Sequence, residues 1–157
     1  MREREPTAEQ WYFEDIEIGE SFDIPSKTMT DTHFVLFSGL TGDHHPIHMD
    51  EHYAAEETDF ESRVAHGTMI SMFTVTGASS LSEHLHESSI AFLEHTNRFV
   101  APVFEGDTIY PTLTVADTED KGEKGLVVLE SEVFNQDDEL VLEGELKLLV
   151  KAREGDE

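Results

Sequence analysis

The sequence predicts an α+β fold, a curved antiparallel β-sheet wrapped around one central buried α-helix. Three features of the 157-residue chain point to it. Thr68 to Ala78 is almost wholly apolar or small, and Met69, Ile70, Met72, Phe73 and Val75 leave no clear polar face. That is the pattern of a helix buried on all sides. From Ile90 the period becomes strand-like and stays so to Val150. Ahead of both lie short helical spacings cut by Gly and Pro, between Thr30 and Glu57. A buried strand is the competing local reading of the apolar stretch, because Thr68, Ile70, Thr74, Val75 and Thr76 are β-branched. The length fits one domain over residues 1–157 with a sizeable core.

In chain order, residues 1–10 read as a polar, flexible arm. Trp11, Tyr12, Phe13, Ile16 and Ile18 form an apolar lead-in before Gly19 that packs against the body. Phe22 to Met29 is a first strand, weakened by Pro25. Thr30 or Asp31 caps a helix that Gly39 weakens and Gly42 ends. Gly42 to Pro46 is a loop, since proline disfavours a helical His45. Asp50 caps a short helix running to Glu57. After the apolar stretch, strands are expected up to Phe104, over Thr108 to Val115, over Leu126 to Phe134, and from Leu140 to Val150. Turns fall at Glu105-Gly106-Asp107 and at Asn135 to Asp138, and a polar loop at Asp117 to Gly125. In the last strand Leu140, Leu142, Gly144, Leu146, Leu148 and Val150 take the core face.

The formal net charge is −25, from 35 acidic and 10 basic residues. The acidic residues are interleaved with apolar ones, which argues for a folded acidic surface rather than disorder. Nucleic acid and anionic membrane are excluded as partners, because both need a basic surface. A cytosol held at molar salt explains such a surface, since the Debye length there is about 3 Å and like charges are screened. There is no cysteine, hence no disulfide, thiolate metal site or thiol nucleophile. No apolar run is long enough to span a membrane, and no apolar segment follows the mixed-charge start, so a cytoplasmic location is expected.

The chemistry-bearing stretch is Phe37 to Asp50, with Asp43 and His48 five positions apart in a segment bounded by Gly and Pro. It reads as an acid–base pair. Val64-Ala65-His66-Gly67-Thr68-Met69 follows as the source of a backbone donor for an oxyanion. His44, His45, His48, Asp50 and His52 are also dense in metal-ligand atoms. Pro46 breaks the helix that would align them and no His-Glu-x-x-His spacing occurs, so no metal is expected.

Phe37 through Ala54 resembles the signature of the MaoC-like, or (R)-specific, enoyl-CoA hydratases, which have a hot-dog fold. That signature runs aromatic, small residues, Gly-Asp-x-Asn-Pro, aliphatic, His, five residues, then Ala or Ser. Here it is Phe37, Leu40-Thr41-Gly42-Asp43-His44-His45-Pro46-Ile47-His48 and Ala54, with His45 in place of the Asn. Tyr12 to Gly19, Ala65-His66-Gly67 and Phe99 to Thr108 look like the family's lead-in, helix start and strand-turn-strand. The resemblance implies Asp43 and His48 as the catalytic pair and Gly67 N–H as the donor to the thioester oxygen, with His66 beside it. For His66, shaping the loop through a backbone hydrogen bond is the favoured role. It also implies an acyl-CoA thioester substrate, no cofactor beyond that coenzyme A, and a homodimer or larger assembly with the pocket near the interface. Met69, Ile70, Met72, Phe73 and Val75 could partly line an acyl tunnel, with core packing favoured for most of them. Arg63 and Arg98 could meet coenzyme A phosphates, with exposure to solvent favoured for each. A hot-dog acyl-CoA thioesterase and a non-catalytic acyl-CoA binder are the alternatives.

Overall fold

The computed structural model describes residues 5–154. Residues 1–4 of the expected arm lie outside them. The arm is tied down before residue 10: Glu9 O accepts from His84 Nδ1 at 2.8 Å and Gln10 Nε2 donates to Glu83 O at 2.8 Å. Trp11 continues the attachment, its ring stacked on His84 with centroids 4.1 Å apart, and Ile16 enters the core.

Six strands build the sheet: β1 (Ser21–Asp23), β2 (Lys27–Thr28), β3 (Ser89–Phe99), β4 (Thr108–Asp120), β5 (Lys124–Phe134) and β6 (Leu140–Lys151). Their order is β1-β4-β5-β6-β3, with β2 also on β4, and every pairing is antiparallel. The single first strand expected over Phe22 to Met29 is two, broken around Pro25, which has no N–H to give a ladder. The polar loop expected over Asp117 to Gly125 is mostly ladder instead. Asp117, Thr118 and Glu119 pair with Val128, Val127 and Leu126, and only a tight turn with Gly122 at φ 90° remains. Polar side chains are compatible with a strand that keeps one wet face. In β6, Leu142, Leu146, Leu148 and Val150 are buried as expected, and Val141 joins them where the register with β5 shifts at the hairpin.

Two apolar clusters fill the space on the sheet. One joins Leu81 and Leu85 to Leu113, Leu129, Leu146 and Val150; the other joins Met69 and Ile70 to Phe34, Ile109, Val133 and Leu142. The segment between them departs from expectation. The buried helix spans only Gly67–Met72, not Thr68 to Ala78, and a single 3₁₀ turn (Thr76–Ala78) and a short helix (Leu81–His84) follow. Thr74 Oγ1 donates to Ser71 O and Ser79 Oγ to Thr76 O, each at 2.7 Å. Such side-chain bonds compete with the helical ladder, and Gly77 adds backbone freedom. The apolar pattern therefore fixed burial but overstated helix length.

Candidate active site

Three short helices carry the site: α1 (Asp31–Thr41), α2 (Pro46–Met49) and α3 (Glu51–Glu57). Thr30 starts α1, its N–H donating to His33 Nδ1 at 2.9 Å. Gly42 ends it in the left-handed region at φ 78°, with its N–H on Ser38 O at 2.8 Å. The chain then turns sharply into Asp43. His45 caps α2, its Nδ1 accepting the Ile47 N–H at 3.1 Å, and Pro46 fills the first helical position, where no N–H is needed. Asp50 caps α3 through Oδ1 and the Tyr53 N–H at 2.9 Å.

This punctuation brings Asp43 and His48 together, with Asp43 Oδ2 4.0 Å from His48 Nε2. Val64, bridged to Phe104, fixes the imidazole: His48 Nδ1–H donates to its carbonyl at 2.6 Å. That bond selects the tautomer whose Nε2 lone pair faces the carboxylate. The other carboxylate oxygen of Asp43 accepts the His45 N–H at 3.2 Å. Asp43 is half exposed and His48 mostly buried.

His66 lies beneath the pair, 2% exposed. Its ring stacks on His48 with centroids 3.7 Å apart, and Phe37 packs on it at 4.7 Å. Its Nε2–H donates to the Asp43 carbonyl at 3.0 Å, with Ser38 Oγ at 3.3 Å. Burial pushes its pKa down, and the His48 and His44 fields add to that against the opposing pull of Asp43. A neutral His66 is thus a flat support that fixes the Asp43 backbone, and its Nε2–H is already engaged. Asp43, His48 and His66 have ligand-capable atoms within 4.8 Å of one another. They do not suit a metal, because His66 Nε2 holds its proton on a carbonyl and the two rings are stacked rather than converging. His44, His45, Asp50 and His52 stay outside this cluster.

Gly67 opens the buried helix, and among the described residues its N–H makes no backbone hydrogen bond. Phe99 covers it so closely that a Cβ on Gly67 would lie 2.9 Å from the ring. Beside them is an apolar pocket of about 320 Å³ lined by Val64, Gly67, Ile70, Phe99, Val103 and Leu142. Of the side chains expected at an acyl tunnel, only Ile70 lines this pocket; Met69 is core and Met72 is half exposed.

Arg63 is not solvated as expected. It is clamped by Asp31 (2.8 Å), Glu51 (3.4 Å) and Glu105 (2.6 Å), over the Phe34 ring. Burial works against its charge, and the hydrogen bonds to Asp31 and Glu105 outweigh it and raise the pKa. Arg98 is exposed and pairs with Glu143. No side-chain pattern marks the Val64 carbonyl, Ser38 or Phe99 as site residues. A helix-period reading of α1 would have placed Ser38 on the buried side with Phe34 and Phe37.

The curved antiparallel sheet and the short buried helix define a hot-dog protein, and the carboxylate–imidazole pair lies beside that helix's start. The model of the MaoC-like domain matches residues 14–136. An (R)-specific enoyl-CoA hydratase of Rhodospirillum rubrum is 34% identical, over 90% of this chain and 93% of its own. A 3-hydroxybutyryl-CoA dehydratase of Methylorubrum extorquens is 33% identical, over 91% and 86%. Among solved structures, a monoamine oxidase regulatory protein from Archaeoglobus superposes with a TM-score of 0.86 at 33% identity, covering 94% of this chain and 98% of that one. An unliganded R-hydratase of Pseudomonas aeruginosa gives 0.72 at 25%, covering 93% and 92%. The chain belongs to the MaoC-like family and is a hydro-lyase.

Proposed function

We propose that this protein is an (R)-specific enoyl-CoA hydratase, or in reverse a 3-hydroxyacyl-CoA dehydratase, acting on a trans-2-enoyl-CoA thioester. The observation that carries the proposal is the 4.0 Å between Asp43 Oδ2 and His48 Nε2, both free to accept. A single water at hydrogen-bond distance from each fits that separation and donates to both. Pulling a proton from this water makes its oxygen nucleophilic toward C3. As the C3–O bond forms, the π electrons move to C2 and the thioester oxygen, which takes enolate character. The proton held by the pair then reaches C2 from the same face, so addition is syn and one stereoisomer forms.

Gly67 N–H is the donor for the enolate oxygen, a fixed interaction worth about 3–4 kcal/mol in comparable sites. A residue without Cβ lets the thioester approach, once Phe99 yields the space above it. The adjoining apolar pocket takes an apolar part of the thioester. His66 holds the Asp43 backbone rather than substrate. The reaction needs no cofactor beyond the coenzyme A of the substrate, and such a substrate fits a cytoplasmic enzyme. Among the described residues β3 pairs only with β6, and its Ile90, Phe92, Leu93 and Phe99 are exposed. A long apolar edge strand calls for a partner, which supports a homodimer built across β3 and close to Gly67.

The test follows the ultraviolet absorbance of crotonyl-CoA in about 2 M KCl, the strongly screened regime. Loss of the enoyl chromophore without release of free thiol is the expected result. Thiol release would assign a thioesterase. Binding without either change, across short, long and branched enoyl-CoAs, would assign a non-catalytic binder.

A further inference from the structure

A third histidine, His45, lies between Asp43 and His48 in the chain, and its backbone groups bond both of them. The His45 N–H takes Asp43 Oδ1, which leaves Oδ2 as the oxygen facing His48. The His45 carbonyl accepts the His48 N–H at 3.0 Å. Its Nδ1 accepts the Ile47 N–H at 3.1 Å and so caps α2, the four-residue helix that carries His48. Resting on Asp43 and His48 as the reacting pair, we propose that His45 is the positioning residue of their loop, and that it holds the loop only while its Nδ1 keeps a lone pair.

The condition follows from the atom types. An asparagine or aspartate cap offers an oxygen that accepts at any neutral pH. Imidazole offers a nitrogen that accepts in one protonation state and donates in the other. A second proton on the ring points an N–H at the Ile47 N–H, so the cap is lost and the two donors repel. The His45 ring is exposed to solvent. The titratable groups around it are Asp43 from the preceding loop, neighbouring His44, His48 of α2 with centroids 6.4 Å apart, and Tyr53 of α3, edge-on at 6.1 Å. Losing the cap frees the first turn of α2, and with it the backbone that sets the distance from His48 to Asp43.

Two readouts test this in wild type, His45→Asn and His45→Ala, at about pH 8 and about pH 5.5, on either side of the histidine range. The first is hydrogen-exchange protection of the Ile47 amide, which does not depend on activity. The second is kcat for crotonyl-CoA hydration. Between the two pH values, Ile47 protection is expected to fall about fivefold in wild type, the usual worth of a cap, and to hold in His45→Asn. The ratio of wild-type to His45→Asn kcat falls by a similar factor, with KM unmoved. His45→Ala loses about fivefold in kcat already at the upper pH. Equal pH dependence of Ile47 protection in wild type and His45→Asn overturns the proposal. So does a flat kcat ratio. If no protein hydrates any enoyl-CoA while Ile47 protection still falls only in wild type, the cap stands and the proposed reaction is what fails.

Discussion

Replacing Arg63 with methionine removes the cation that joins α1, α3 and the Glu105 turn, immediately before Val64, the residue that orients His48. Methionine keeps most of the apolar stem over Phe34, so the change isolates the charge. Without it Asp31, Glu51 and Glu105 face one another across the vacated guanidinium. Three unit-charge pairs at about 6 Å repel by roughly 0.7 kcal/mol each in bulk water, about 2 kcal/mol together. The lost cation–π contact adds about 0.5–1 kcal/mol. All three carboxylates are more than a third exposed, so the aqueous figure is the right scale. The expected cost is about 2–3 kcal/mol at low salt, a Tm drop of roughly 4–12 °C for a chain of this size. In about 2 M KCl the repulsive part is screened and the cost falls to about 1 kcal/mol. Thermal unfolding at the two salt levels reads both numbers. A Tm drop that does not shrink with salt would refute the clamp as an electrostatic device.

Gly67→Ala puts a methyl against Phe99, whose half-exposed ring can tilt away, so the fold is expected to survive. Crotonyl-CoA hydration should still fall about a hundredfold, because the thioester oxygen is displaced from its donor; unchanged kcat/KM would remove Gly67 from the site. On β5 and β6, Glu130 lies directly opposite Glu145, a like-charge pair that costs about 0.5–1 kcal/mol at low salt. Glu130→Lys should therefore stabilise the protein to urea at low salt by about that amount and far less in about 2 M KCl. Burial lowers the pKa of both His66 and His95, so the folded state binds fewer protons than the unfolded chain. Their contribution is complete above the unfolded histidine value of about 6.5 and is lost as pH falls from there through the lowered folded values. Urea midpoints between about pH 7.5 and about pH 5 should decline, and His95→Gln should flatten the decline.

Elements whose ends rest on one local residue were legible in the sequence. Thr30, Gly42 and Asp50 each stop or start a helix for a stereochemical reason that needs no tertiary knowledge. Pro46, read as the end of a loop, instead opens the four-residue helix that carries His48. The helix at Gly67 was legible in kind but not in length. An apolar pattern reports burial, whereas Thr74 and Ser79 decide continuity through bonds to their own backbone. β4 runs on to Asp120 because its polar residues pair along a strand face that water can reach. Contacts between distant segments left no trace. The three carboxylates on Arg63 come from positions 31, 51 and 105, and the Val64 carbonyl that orients His48 carries no side-chain signature. His45 was visible only as an odd residue in an Asn position, and its acceptor nitrogen on Ile47 explains how it fits there.

The most direct test of the Asp43–His48 mechanism is saturating turnover of crotonyl-CoA by Asp43→Asn, His48→Ala and the double variant, each shown to melt like the wild type. Each single variant is expected to lose about 10²–10⁴ in kcat, the range of positioned acid–base groups. The double variant should lose little more than the worse single one, because one water serves both side chains. A folded single variant that keeps kcat within a few fold of wild type would contradict the shared-water mechanism.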